Sequence, residues 1–191
     1  MAIMAALQQI DVALFDKVFH LGREYKAMTK GAIALSRSGD GYLQVLTPAL
    51  VWLSGSLLAP TYTVALAIAM LAERIIYYIM KNTLKRLRPC DFKKNLKSLI
   101  AASDKFSFPS GHTSAAFCFS TITIIAFGGA YTAMFIWASL VGASRVVIGV
   151  HYPGDIVAGA VMGSGIAVGT ASLLNIWYCL LYTSPSPRDI R

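Results

Sequence analysis

Long apolar runs alternate with short polar interruptions along most of this chain, and the lengths of the runs decide what they can be. A helix rises about 1.5 Å per residue, so crossing a hydrocarbon core takes about 20 apolar residues. Five runs approach or exceed that length: 42–59, 61–80, 109–127, 130–150 and 155–178. Residues 7–21 follow a different rhythm. Leu7, Ile10, Leu14, Val18 and Leu21 fall on one helical stripe with Asp11, Asp16, Lys17 and His20 interspersed, which predicts an amphipathic helix at the membrane interface. A short helix packed on the end of the bundle satisfies the same pattern. The pattern therefore predicts an all-α, polytopic membrane helical bundle of about five transmembrane helices plus an N-terminal amphipathic helix. It forms a single membrane-embedded domain over residues 1–178, with 1–41 as its interfacial segment.

Composition sharpens this picture. Of 191 residues, 56% are hydrophobic and only 14% charged, with a mean hydropathy of +0.60, far more apolar than a soluble domain of this size. The net charge of +8 points to anionic partners or a lipid surface. Its cations sit in short segments between apolar runs and not on a soluble basic domain, which argues against nucleic acid. Cys90, Cys118 and Cys179 show neither CxxC nor Cys/His spacing, so no disulfide framework or zinc site is indicated. Residues 179–191 switch to a Ser-Pro-rich string that resembles a translated sequencing adapter and is set aside from fold reasoning, the natural chain being expected to continue past Tyr178. A natural disordered Pro/Ser tail is the alternative.

The connections are unequal. Only Pro60 separates the first two runs and only Gly128-Gly129 the third and fourth. Five spans then place the N-terminal segment, the loop 81–108 and the turn 149–154 on one side of the bilayer. That side carries Lys17, Arg23, Lys26, Lys30, Arg37, Lys85, Arg86, Lys93, Lys94, Lys97 and Lys105. The positive-inside rule would make it cytoplasmic, although cations that attract an anionic lipid would produce the same asymmetry.

Three strings on this face carry chemistry. Lys81 and Arg88, followed by Pro89, lie two helical turns apart on one face if the helix continues, so two cations point at one place. Either alone also reads as a snorkelling side chain. In Pro109-Ser110-Gly111-His112, Ser110 is a natural N-cap and Gly111 permits close backbone approach. Helix-start amides there form an anion site, and His112 sits within its first turn. A capped helix with a surface histidine is the plainer alternative. In the third string, Ser144-Arg145 and then His151 with Asp155, Arg145 lies near the end of an apolar helix, where an ionisable group usually faces a polar cavity. Asp155 can accept the Nδ1 proton of His151 and leave Nε2 as a nucleophile, or serve only as an N-cap.

In order and spacing the three strings resemble the signature of the type 2 phosphatidic acid phosphatase family, in its membrane-bound lipid phosphatase branch that includes bacterial undecaprenyl-diphosphatase-like members. The resemblance covers about Lys81 to Asp155. It implies that His151 attacks phosphorus to form a phosphohistidine, that His112 protonates the leaving oxygen, and that Asp155 orients His151. By the same resemblance, Lys81, Arg88, Ser110, Gly111 and Arg145 bind the phosphate oxygens, with no metal and no cofactor. The implied partner is a lipid phosphate in a bilayer, with the protein multi-pass in the inner (plasma) membrane and its active site on either the periplasmic or the cytoplasmic face. An isoprenyl (undecaprenyl) diphosphate comes first as substrate, ahead of phosphatidate, phosphatidylglycerol phosphate and lipid A phosphates.

A vanadate-dependent oxidant of the same superfamily would use the same ligands, but those members are soluble and less apolar. A channel, transporter or scaffold would make three ordered strings a coincidence. Glu73 and Arg74 lie inside the second run, with Glu73, Tyr77 and Lys81 on one stripe; they read equally as a structural pair or as part of a pocket. Residues 36–41 read as a turn with Asp40 capping the first span. Gly159, Gly163, Gly165 and Gly169 make two small-xxx-small pairs for close helix packing.

Overall fold

The apolar runs become helices whose ends are set by residues that hydropathy does not report. The structure, a computed structural model, describes residues 2–93, 96, 98–100 and 104–176. The tail 179–191, Lys94, Lys97 and the last residues of the fifth run lie outside the described residues. The helices are α1 (Ala2–Glu24), α2 (Lys26–Ser38), α3 (Tyr42–Leu53), α4 (Ala59–Leu84), α5 (Pro89–Phe92), α6 (Gly111–Phe127), α7 (Ala133–Ile148) and α8 (Pro153–Leu173). A 3-10 turn at Gly129–Tyr131 precedes α7. The architecture is an all-α polytopic membrane bundle. By length and composition, Ala59–Leu84, Gly129–Ile148 and Pro153–Leu173 can cross a membrane, while Tyr42–Leu53 and Gly111–Phe127 are shorter apolar helices.

The first run breaks early. Ser54-Gly55-Ser56 interrupts it, and Gly55 takes a φ of +69°, a left-handed conformation that suits glycine. That leaves α3 with 12 residues. The second run ends at Leu84 because Lys85 is left-handed (φ 46°), so the helix does not continue to Arg88 as the sequence suggested. The chain instead runs extended, Leu87 pairs with Phe106 in a single antiparallel bridge, and Arg88 precedes the short helix α5. Residues 36–41 also differ from expectation. Ser36 and Ser38 belong to α2, and only 39–41 turn.

Helix α6 is the centre of the bundle, buried around most of its circumference and flanked by α4, α7 and α8. Tyr62 and Leu66 of α4 meet Phe119 and Ile122 of α6 and the small Ala167 and Ala171 of α8 in the main core cluster. Glycine explains how closely α8 approaches. A Cβ at Gly163 would lie 2.1 Å from the backbone oxygen of Ser114, and one at Gly159 would lie 2.7 Å from that of Ser110. Gly165 and Gly169 meet nothing within 4 Å. The second small-residue pair therefore makes no close contact, since two residues along a helix turn a side chain about 200° away.

Helix α1 has two apolar faces. Phe15 and Phe19 are buried against Val146 and Tyr152, and Gly22 packs on Val147, which fastens α1 to the end of the bundle. Ile10, Leu14 and Leu21 stay exposed on the opposite side of that contact. The apolar stripe seen in sequence is thus mostly the outward one, and the aromatic face packs.

Candidate active site

The C-terminal ends of α4 and α7 and the N-terminal ends of α6 and α8 come together at one end of the bundle, where the α2–α3 turn and the segment before α6 close over them. They bound a cavity of about 430 Å³ whose polar wall includes Arg88, Asp104, Gly111, His112, Arg145 and His151. All three strings contribute to it. Lys81 stands just behind the wall, its ammonium donating to the Tyr77 hydroxyl at 2.6 Å and pairing with Asp104 at 2.7 Å.

Each cation is held by a different device. Arg88 is buried and reaches in from extended chain, its Nε donating to the Asp104 carbonyl and its Nη1 to the Val150 carbonyl, both at 2.8 Å. Its Nη2 lies 3.6 Å from the Asp104 carboxylate. Arg145, buried at the last turn of α7, donates from Nη1 to the Ser36 hydroxyl of α2, while its Nε has no hydrogen-bond partner. A buried guanidinium with an unsatisfied edge on an anion-sized cavity is what a phosphoryl oxygen would complete.

His151 is buried in the turn between α7 and α8, and its Nδ1 lies 3.5 Å from Oδ2 of Asp155, beyond a good hydrogen bond. Burial pushes the imidazole down to about 4, which Asp155 partly opposes and the charges of Arg88 and Arg145 reinforce. The ring is therefore neutral at pH 7, as a nucleophile must be. Asp155 is not the N-cap of α8. Tyr152 holds that position, and Asp155, three residues on, accepts the Tyr152 N–H at 2.8 Å while its other oxygen accepts from Arg86 Nη1 at 2.7 Å.

Ser110 occupies the N-cap position of α6 without capping it, because its hydroxyl pairs with Thr113 Oγ1 at 2.9 Å. It stands back from the cavity, and its N–H donates to the Asp155 carbonyl at 3.1 Å. Gly111 lines the cavity under the Tyr77 ring, where a Cβ would come within 2.8 Å of Cε2. His112 follows it, with Nε2 2.8 Å from the Asp40 carboxylate. Asp40 thus contacts the histidine and does not cap α3, whose N-cap is Gly41.

Three further acidic or basic residues at the site carried no signal in the three strings. Asp104 is the counter-ion of Lys81 and Arg88. Although burial raises a carboxylate, hydrogen bonds from Lys81 and Tyr77 and the two positive charges hold it down at about 2. Arg86, seen only as a surface cation, bridges Asp155 and Asp11, which it contacts at 2.5 Å, and stacks over the Tyr152 ring. The charges of these two carboxylates outweigh the effect of its burial and raise its pKa. Asp11 also accepts the Gly154 N–H at 2.7 Å, so α1 is tied to the turn that carries His151. Its position on the packed face of α1, beside Phe15, was the available clue.

Fold and site together define a membrane-embedded helical bundle with two histidines and a cluster of cations around one cavity at its polar end. Residues 62–179 match the PAP2 superfamily, and the chain belongs to that superfamily. It is similar to a lipid A 4'-phosphatase of Bacteroides thetaiotaomicron, 31% identical over 53% of this chain and 49% of the relative. It is also similar to an undecaprenyl-diphosphatase of Sulfolobus acidocaldarius, 30% identical over 71% of this chain and 65% of the relative. The chain therefore spans about half the length of the first and about two thirds of the second. The crystal structure of Aquifex aeolicus LpxE shares the fold, with a TM-score of 0.72 and 21% identity over 84% of this chain and 94% of that one.

Proposed function

We propose that this chain is an integral membrane phosphohydrolase of lipid phosphates or diphosphates, acting through a phosphohistidine on His151. The observation that carries the reading is the convergence of His151, His112, Arg88 and Arg145 on one cavity, with Lys81 at its wall. In this mechanism Nε2 of His151 forms the bond to phosphorus as the bond to the leaving oxygen breaks, and His112 gives that oxygen a proton. Water then attacks the phosphohistidine, His112 accepts its proton, and inorganic phosphate leaves. Asp155 orients His151 with support from Arg86. Lys81, Arg88, Arg145 and the Gly111 amide stabilise the charge on the phosphoryl oxygens, with Ser110 shaping the start of α6 behind them. Those cations do the work that a metal would do, so turnover proceeds with chelator present.

Similarity to an undecaprenyl-diphosphatase and to a lipid A phosphatase supports a lipid substrate. An isoprenyl diphosphate comes first, with phosphatidate, phosphatidylglycerol phosphate and lipid A phosphates as alternatives. Residues 1–178 act as one domain in the inner (plasma) membrane.

The purified full chain in detergent should release inorganic phosphate from lipid phosphates in the presence of EDTA, and vanadate should inhibit it. His151→Ala should abolish both turnover and the acid-labile phosphoenzyme. His112→Ala should slow turnover about 10²-fold or more, the usual contribution of a general acid. A fully active His151→Ala protein would overturn the nucleophile.

A further inference from the structure

The cavity does not end at the phosphate-sized cluster around His151. It continues past His112 along α4 and α6 to Arg74, Gln44, Met70 and Ala115, and this extension holds two polar groups that the mechanism leaves unused. Arg74 lies seven residues before Lys81 on α4, about 10 Å deeper along the helix. Its side chain is half-exposed where it lines the cavity, so its free edge is open to a ligand. Arg74 is tied on one edge only. Its Nε and Nη2 donate to Glu73 Oε2 at 3.2 and 2.9 Å, and its Nη1 makes no hydrogen bond among the described residues. Glu73 is itself fully buried and accepts the Ser114 hydroxyl, which fixes the pair from beneath.

Gln44 is the second unused group. Its amide nitrogen and oxygen are both buried without a hydrogen-bond partner, an arrangement that costs free energy in a finished protein and asks for a ligand. Both residues come in on the side of His112. Gln44 is on α3, just after Asp40, whose carboxylate contacts His112. The Arg74 guanidinium lies 4.8 Å from the centre of the Tyr77 ring, which packs on Gly111.

We infer that Arg74 and Gln44 form a subsite for a second phosphoryl group, so that this cavity is built for a lipid diphosphate. The inference rests on the proposed phosphatase reading and names its substrate class. When His151 attacks the terminal phosphorus, the bond to the bridging oxygen breaks. That oxygen leaves with the second phosphoryl group and the lipid, taking its proton from His112. The departing group, a dianion but for that proton, leaves as a lipid monophosphate with one negative charge next to His112, where a guanidinium edge and an amide N–H₂ meet its oxygens. Met70 and Ala115, lining the apolar continuation, lie where the first carbons of the tail would follow. Water supplies the oxygen of the released inorganic phosphate, and the other product is a lipid monophosphate.

The test compares farnesyl diphosphate with farnesyl monophosphate on the full chain in detergent micelles, reading inorganic phosphate release. The wild-type protein should show the higher kcat/KM on the diphosphate. In Arg74→Gln and in Gln44→Leu the ratio of the two kcat/KM values should fall about tenfold or more, the loss of one charge-assisted contact to the leaving group. Gln44→Leu breaks no bond within the protein, so it reports even where Arg74→Gln unfolds. A ratio within about threefold of wild type in both variants would overturn the subsite while leaving the phosphatase standing. A purely structural Arg74 lowers both activities together and gives that same unmoved ratio. Wild-type protein inert on both substrates and on phosphatidate would overturn the phosphatase reading and the subsite together.

Discussion

His151 shows how much of the site depends on what surrounds one side chain. Its residue type and its spacing from Asp155 are visible in the sequence, but its acidity comes from burial and from two guanidinium groups contributed by separate segments. In the proposed mechanism attack requires the neutral imidazole. With a pKa of about 4 in place of the usual value near 6.5, kcat/KM should therefore hold through mild acid and fall only as pH drops through about 4. Removing a cation that lowers this pKa must raise it, so the residual activity of Arg88→Leu should lose its acid limb at a higher pH than wild type. Profiles of kcat/KM against pH check both statements, and an acid limb near pH 6.5 in the wild type would contradict them. Asp104 marks the opposite limit. A lone aspartate in a polar loop has no motif around it, and only the folded chain reveals that its charge sits between Lys81 and Arg88.

At the scale of elements, the deciding events are helix ends. The left-handed Lys85 stops α4 and sends Arg88 to the cavity by extended chain. A helix continued through Arg88 would have put Lys81 and Arg88 on a common face; they do converge, by another route. The packing role of Gly159 and Gly163 was legible as a small-residue repeat, while the idleness of Gly165 and Gly169 was not, because a repeat does not state which helix face meets a neighbour. Helix α1 was legible as amphipathic, yet its docking depends on Asp11, which joins the Gly154 amide and Arg86 and through Arg86 reaches Asp155. Weakening that link should loosen the carboxylate that orients His151. Asp11→Asn should lower kcat about tenfold, equivalent to about 1.4 kcal/mol, close to the lower end of what a hydrogen bond to a charged group contributes. KM should change little, since Asp11 does not line the cavity; steady-state kinetics on a lipid phosphate distinguish the two parameters.

At the scale of the whole molecule, polarity is segregated. Val45, Leu50, Leu53, Leu71, Ile136, Val161 and Leu173 all present apolar side chains outward from the helices, while the buried charges other than Glu73 collect at one end. A surface of this kind is stable only in a hydrocarbon solvent. The protein should therefore stay with the membrane pellet through an alkaline carbonate wash and be released by detergent, which fractionation and immunoblotting would show.

The sequence by itself determined the solvent and the helix class, because run length and apolar content are local properties that bilayer thickness reads directly. It also singled out the residues of the three strings that the proposed chemistry uses, since residue type and spacing record them. Only the tertiary structure decided which side chains share a cavity, that Asp104, Asp40, Arg86 and Asp11 answer its cations and histidines, and that Arg74 and Gln44 extend it. The reason is physical: counter-ions and packed faces are matched across the bundle by distance in space, and residues as far apart as Asp11 and Asp155 leave no local trace of meeting.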